Sequence, residues 1–168
     1  AGPNRGRTSG GGIAARNVNG GFDGSTSGGG IVLEAMEGPV RVQTSGGAIV
    51  VAGVRGDIDA ETSGGSLRLA GIDGKIRAHT SGGSVQCELV GANRGISAST
   101  SGGGIRLTLP RDVTGTLDAE SSGGSVNTDL PVSTTRAGQN RLSGLINGGG
   151  EPIHVRTSGG GITLSAAQ

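Results

Sequence analysis

The stretch Thr62-Ser63-Gly64-Gly65-Ser66-Leu67-Arg68-Leu69 decides the fold, because its first four residues return along the chain at a fixed step. Thr-Ser-Gly-Gly stands at Thr8, Thr26, Thr44, Thr62, Thr80, Thr100 and Thr157, and as Ser-Ser-Gly-Gly at Ser121. The first four intervals are 18 residues, the next two 20 and 21, and the last 36. A constant period of this size marks a repeat architecture, in which each unit buries its apolar face against its neighbours.

Counted from its Thr, each repeat carries an apolar residue five positions on: Ile13, Ile31, Ile49, Leu67, Val85, Ile105, Val126 and Ile162. Seven on stand Ala15, Leu33, Val51, Leu69, Cys87, Leu107, Thr128 and Leu164. A spacing of two is that of a strand with one buried face. A third inward row is expected ten on, at Val18, Met36, Val54, Ile72 and Val90, followed by turn glycines at Gly20, Gly38, Gly56 and Gly74. A second strand leads into the next Thr, with Phe22, Val40, Ile58, Ile76, Ile96, Leu117 and Ile153 four residues before it. By parity each Thr points inward at the corner, its hydroxyl within reach of its counterpart one coil away. The paired glycines are expected to turn the corner, with positive φ at Gly64 or Gly65.

The pattern reads as an all-β chain: a single-domain parallel β-solenoid over residues 1–168, of about eight coils on an 18-residue repeat. At about 4.8 Å per coil the rod would be about 40 Å long. Three residues before each Thr, an outward ladder reads Asp23, Arg41, Asp59, Arg77, Ser97, Asp118 and His154 in chain order. Opposite charges alternate over its first four rungs, which favours this register over a one-coil slip.

Two insertions break the period, near Gly91-Ala92-Asn93-Arg94 and near Pro110-Arg111-Asp112. A longer irregular coil or loop spans 130–150. It is the candidate contact loop, represented by Val132, Arg136 and Asn140, because recognition residues concentrate on loops held by a rigid scaffold.

Composition excludes several functions. The net charge is +1, from 14 basic and 13 acidic residues, and one Phe is the only aromatic. A nucleic-acid platform needs a basic groove and rings on which bases stack, so no nucleic-acid partner is expected. No apolar run is long enough for membrane insertion as a helix. The single Cys87 cannot form an intramolecular disulfide, and its inward position makes it a buried, inert thiol. No metal-ligand cluster and no phosphate loop stand out, so neither metal nor cofactor is expected. The serines after the corner residues have no His placed to activate them, and His79 and His154 fall on outward ladders. No catalytic residue is assigned. A polysaccharide-acting β-helix enzyme is the remote alternative, through Asp57, Asp59 and Glu61, but Arg41 and Arg77 flank these acids.

Three segments carry a family likeness: the recurring Thr-Ser-Gly-Gly-x-Ile-x-Leu, Ile105–Pro110 followed by Leu117–Gly123, and Gly148–Gly160. Together they resemble a bacterial adhesin-type β-solenoid family. The resemblance implies a non-enzymatic module that is exported or surface-associated, and it brings no catalytic residues. The expected function is an extracellular structural module, a subunit of a fibre or surface layer, secreted with its signal removed. The alternative is a monomeric adhesin-like module at the cell surface. Assembly is expected to be homo-oligomeric and head-to-tail, since a solenoid ends in unpaired strand edges. Thr8, Ile13 and Ala15 are the candidate edge at one end, and Ile162 and Leu164 at the other.

Overall fold

The computed structural model describes residues 4–130 and 132–167, and every regular element among them is a β-strand. Six successive turns of the chain each contribute two strands. They are β1 (Asn4–Thr8) and β2 (Ile13–Val18), β3 (Phe22–Thr26) and β4 (Ile31–Glu37), β5 (Val40–Thr44) and β6 (Ile49–Arg55), β7 (Ile58–Thr62) and β8 (Leu67–Asp73), β9 (Ile76–Thr80) and β10 (Val85–Leu89), and β11 (Ile96–Thr100) and β12 (Ile105–Leu109). β13 (Gly115–Ser121), β14 (Val126–Thr128), β15 (Val132–Ala137), β16 (Arg141–Ile146), β17 (Pro152–Thr157) and β18 (Ile162–Ala166) follow.

Odd strands of the regular turns stack in one sheet and even strands in the other, all in parallel. The first sheet runs β1-β3-β5-β7-β9-β11-β17-β13-β16-β15, and the second β2-β4-β6-β8-β10-β12-β18-β14. Inward residues of both sheets meet in one core from Phe22 to Leu164. Leu69 and Ile76 lie deep within it. The solenoid therefore winds for six consecutive turns. The layers that complete the expected eight are out of chain order, because the C-terminal pair β17/β18 is inserted between β11/β12 and β13/β14.

This insertion corrects the expected C-terminal edge. Ile162 and Leu164 are fully buried on β18, whose backbone pairs with β12 on one side and β14 on the other. Thr8, Ile13 and Ala15 lie on β1 and β2, each of which has one strand neighbour among the described residues. The irregular loop expected at 130–150 is mostly a β-hairpin. β15 and β16 pair antiparallel, and β16 pairs antiparallel with β13, which closes this end of the first sheet. The Gly138 N–H donates to the Arg141 carbonyl at 2.8 Å across the hairpin turn. Val132 opens β15 and packs partly buried against the core. Arg136 pairs through its backbone with Ser143, and its side chain lies outside the described residues. Asn140 is exposed at the turn, where its carbonyl accepts the Ser121 N–H at 2.8 Å.

The corners work differently from the sequence expectation. From Thr26 onward each corner hydroxyl, Ser121 included, donates to a glycine carbonyl of the neighbouring coil, not to its counterpart Thr. Thr62 Oγ1 bonds Gly47 O at 2.9 Å, and Thr80 Oγ1 bonds Gly65 O at 2.8 Å. The same oxygen accepts the glycine N–H three residues on, as Thr62 does from Gly65 at 3.3 Å. The hydroxyl is thus satisfied at a buried position, as burial of a polar group requires. Gly64 and Gly65 both lack positive φ. The second glycine of each pair is needed for close approach. A Cβ at Gly103 would stand 2.5 Å from Gly83 O, and one at Gly65 would overlap the Gly47 carbonyl more severely.

Positive φ occurs elsewhere, in a stacked bulge. Asn17, Ala35, Gly53 and Gly71 have φ of 54°, 54°, 74° and 65°. An extra outward residue there returns Val18, Met36, Val54 and Ile72 to the core, as a β-bulge does. β10 has no such bulge. Its pairing shifts so that Leu89 meets Ile72, and Val90, expected inside, is 54% exposed.

Candidate functional site

On the outer face of the first sheet, the strand order sets two ladders of side chains. The first reads Arg5, Asp23, Arg41, Asp59, Arg77, Ser97, His154 and Asp118. The second reads Arg7, Ser25, Gln43, Glu61, His79, Ser99, Arg156, Glu120 and Arg141. Insertion of β17 brings His154 and Arg156 between the serines of β11 and the acids of β13. No reading that stacks the coils in chain order makes this grouping.

His79 Nδ1 lies 2.7 Å from Ser99 Oγ. His154 Nδ1 lies 3.8 Å from Asp118 Oδ2, and Arg156 Nη2 lies 3.6 Å from Glu120 Oε2. Both basic side chains are well exposed, at 63% and 72%. Ser97, Ser99, Asp118, Glu120, His154 and Arg156 line a shallow depression of about 350 Å³. The His79–Ser99 pair lies on the outward ladders and not among the serines after the corners. The outward ladders held the signal, since 79 and 99 occupy the same position in successive coils.

A hydroxyl bonded to an imidazole is the start of a nucleophile–base arrangement. Its setting here is an open sheet face. The backbone N–H groups of β9 and β11 serve the parallel ladder, so they do not converge on an oxyanion. What the face offers is a row of hydroxyls and basic side chains, with the carboxylates of Asp118 and Glu120 beyond them. Asp57 and Asp59 line a second depression, also about 350 Å³, with Arg41, Lys75 and Arg77. Asp57 Oδ1 accepts the Lys75 backbone N–H at 3.0 Å. These acids face cations and do not form a pair of carboxylates opposed across a cleft.

Cys87 is buried in the core, and burial pushes its thiol from 9.0 up to about 12, far from a reactive thiolate. Among the described residues no group of three or more His, Cys, Asp or Glu is placed to hold a metal ion. Among them, no helix is long and apolar enough to cross a membrane.

The chain has no significant match among curated proteins or solved structures. Residues 13–165 match the family described as Toastrack DUF4097, which is not a known enzyme family. With that match spanning the repeats and the inserted C-terminal coil alike, the chain belongs to the Toastrack DUF4097 family of β-solenoid domains.

Proposed function

We propose that this domain is a non-enzymatic structural module of the cell exterior, a component of a fibre or surface layer that joins its neighbour through the β1/β2 end. One observation carries the reading. β1 presents the rung Arg5-Gly6-Arg7 at a strand edge with no neighbour beyond it among the described residues. Inside the molecule, the similar rung His154-Val155-Arg156 of β17 receives Asp118-Ala119-Glu120 of β13 in register. The neighbour that fits β1 is therefore a coil bearing Asp-x-Glu on its outer face. The chain's own ends are poorly matched to one another. Two-fold pairing of β1 with a second β1 about Gly6 would set Arg5 against Arg7, and like charges directly opposite are unfavourable. The other end is blunted by a hairpin whose outer strand is itself bulged. The extracellular setting is supported by the likeness to exported adhesin-type solenoids.

The test uses the full chain with an extra coil, a copy of residues 57–74, fused ahead of it in the register of the repeat. That coil should raise Tm by several degrees. A copy carrying Asp59→Arg and Glu61→Arg should raise it distinctly less. The unmodified chain should sediment as a monomer. Equal stabilisation by both copies, or filaments of the unmodified chain by electron microscopy, overturns the proposal.

A further inference from the structure

Among the strands of the two outer ladders of the first sheet, β11 alone carries no ionisable residue in either. In the first ladder the signs run plus, minus, plus, minus, plus from Arg5 to Arg77, and the next rung is Ser97. Beyond Ser97 stand the basic His154 and then the acidic Asp118. In the second ladder Ser99 lies between His79 and Arg156. β11 thus puts a hydroxyl between two basic residues in both ladders. We propose that Ser97 and Ser99 are the floor of an oxyanion-binding site whose walls are Arg77 and His79 on one side and His154 and Arg156 on the other, and that its ligand is an acidic polysaccharide. The inference is independent of stacking at the β1 end.

The dimensions suit such a ligand. Neighbouring strands lie about 4.8 Å apart, so the two basic rows flank a gap of about 10 Å over the serine row. Serine is short, and a depression of about 350 Å³ begins at this row and runs past His154 and Arg156 to Asp118 and Glu120, whose carboxylates bound it on the side away from Arg77. Ser97 and Ser99 are about 7 Å apart along the strand, which gives two oxyanion slots side by side. Among the described residues no carboxylate comes within 4.0 Å of the Arg77 guanidinium. The Arg156 and His154 contacts to β13 are long, at 3.6 and 3.8 Å, so both can turn their donors to a bound anion. When His79 Nδ1 donates its hydrogen to Ser99 Oγ, the serine hydrogen is left to point at the ligand. With no aromatic but Phe22 in the sequence, recognition rests on charge-assisted hydrogen bonds and not on ring stacking.

The experiment is a titration followed by backbone amide NMR, with three probes: inorganic phosphate, a sulfated oligosaccharide and trigalacturonate. Saturable shifts at Ser97 and Ser99 that weaken with salt are expected from the oligosaccharide that supplies the anion. The sulfated and carboxylated arms identify its source. Response to inorganic phosphate alone overturns the polysaccharide assignment. Removing each hydroxyl, as Ser97→Ala or Ser99→Ala, should weaken binding roughly tenfold. Ser97→Asp with Ser99→Asp puts a carboxylate between the two basic residues of each ladder, so it should abolish binding while Tm holds or rises. Loss of binding in that variant is then not loss of fold. Arg77→Gln with Arg156→Gln provides a second route to the same loss. Binding that survives either double variant, shifts that map to another face, or no response to any probe refutes the site.

Discussion

Replacing Gly65 by Ala tests the account of the corners more sharply than any core substitution. Both Gly64 and Gly65 have unexceptional φ, so the Gly-to-Ala change brings no dihedral strain at either. They differ in what a methyl group would meet. At Gly64 the nearest atom is Ser45 O at 3.5 Å, an ordinary contact. At Gly65 the methyl would overlap Gly47 O, Gly47 C and Ala48 N, which are backbone atoms with no rotamer to yield. The coils must move apart, and overpacking of this kind costs about 1–3 kcal/mol. Separation also stretches the Thr62 Oγ1 bond to Gly47 O at 2.9 Å, which crosses the same interface and is worth about 1 kcal/mol net. Gly65→Ala should therefore cost roughly 2–4 kcal/mol, and Gly64→Ala less than about 1 kcal/mol. For a chain of this size each kcal/mol shifts Tm by about 2–4 °C. Urea unfolding and differential scanning calorimetry on the pair read the difference directly. Equal losses at both positions, or a neutral Gly65→Ala, would refute close approach as the reason for the second glycine.

Three further outcomes are expected. Ala35 holds φ of 54° where the next two coils have Gly53 and Gly71, so Ala35→Gly should stabilise by about 1 kcal/mol, and an unchanged or lower Tm would count against strain there. Asn93 Nδ2 donates to Thr114 O at 3.0 Å and to Glu151 O at 2.8 Å, so Asn93→Ala should cost about 1–3 kcal/mol, read by urea unfolding. Burial raises the Cys87 thiol from 9.0 to about 12, so the folded state keeps a proton that the unfolded chain loses. Stability from this residue is complete below the unfolded value and falls by about 1.4 kcal/mol per pH unit above it, until the folded thiol ionises near 12. Unfolding curves of the parent and Cys87→Val should diverge on that alkaline side, and curves that run parallel would place the thiol in a wetter site.

Much of the fold was legible because the repeat writes one rule many times. Ile31, Ile49, Leu67 and Val85 occupy equivalent positions and meet in register. What the period concealed was local. The step from Leu33 to Met36 is three residues, which strict alternation forbids, and only the bulge at Ala35 reconciles it. The same step applied to β10 pointed to Val90. That strand alternates without a bulge, so Leu89 went inside. The role of Gly65 was misjudged because glycine answers two different needs, positive φ and proximity, and sequence does not distinguish them. The loop at 130–150 was read as irregular because it leaves the 18-residue step, although Leu142 to Ile146 is a strand that happens to run antiparallel. Of the candidate site, the basic and hydroxyl residues were visible, but their grouping depended on strand order.

That order has a physical basis in the residues that break the period. Stacked in chain order, β13 would lie on β11, and Asp118 and Glu120 would face Ser97 and Ser99 without a counter-charge. With β17 between them, the same acids face His154 and Arg156, and Glu120 has Arg141 on its other side. The insertion at 91–94 supplies Asn93, whose amide bridges the carbonyls of Thr114 and Glu151, the residues just before β13 and β17. Asn147, after the hairpin, performs a parallel task on Arg111 and Val113 at 3.1 and 2.8 Å. The extra residues are thus the fastenings of the inserted coil, and they hold it where His154 and Arg156 stand beside Ser97 and Ser99. A regular eighth turn would have ended the stack in an open edge and left those serines beside carboxylates. The break in periodicity both blunts the end of the first sheet with an antiparallel hairpin and sets His154 and Arg156 beside the serines of β11.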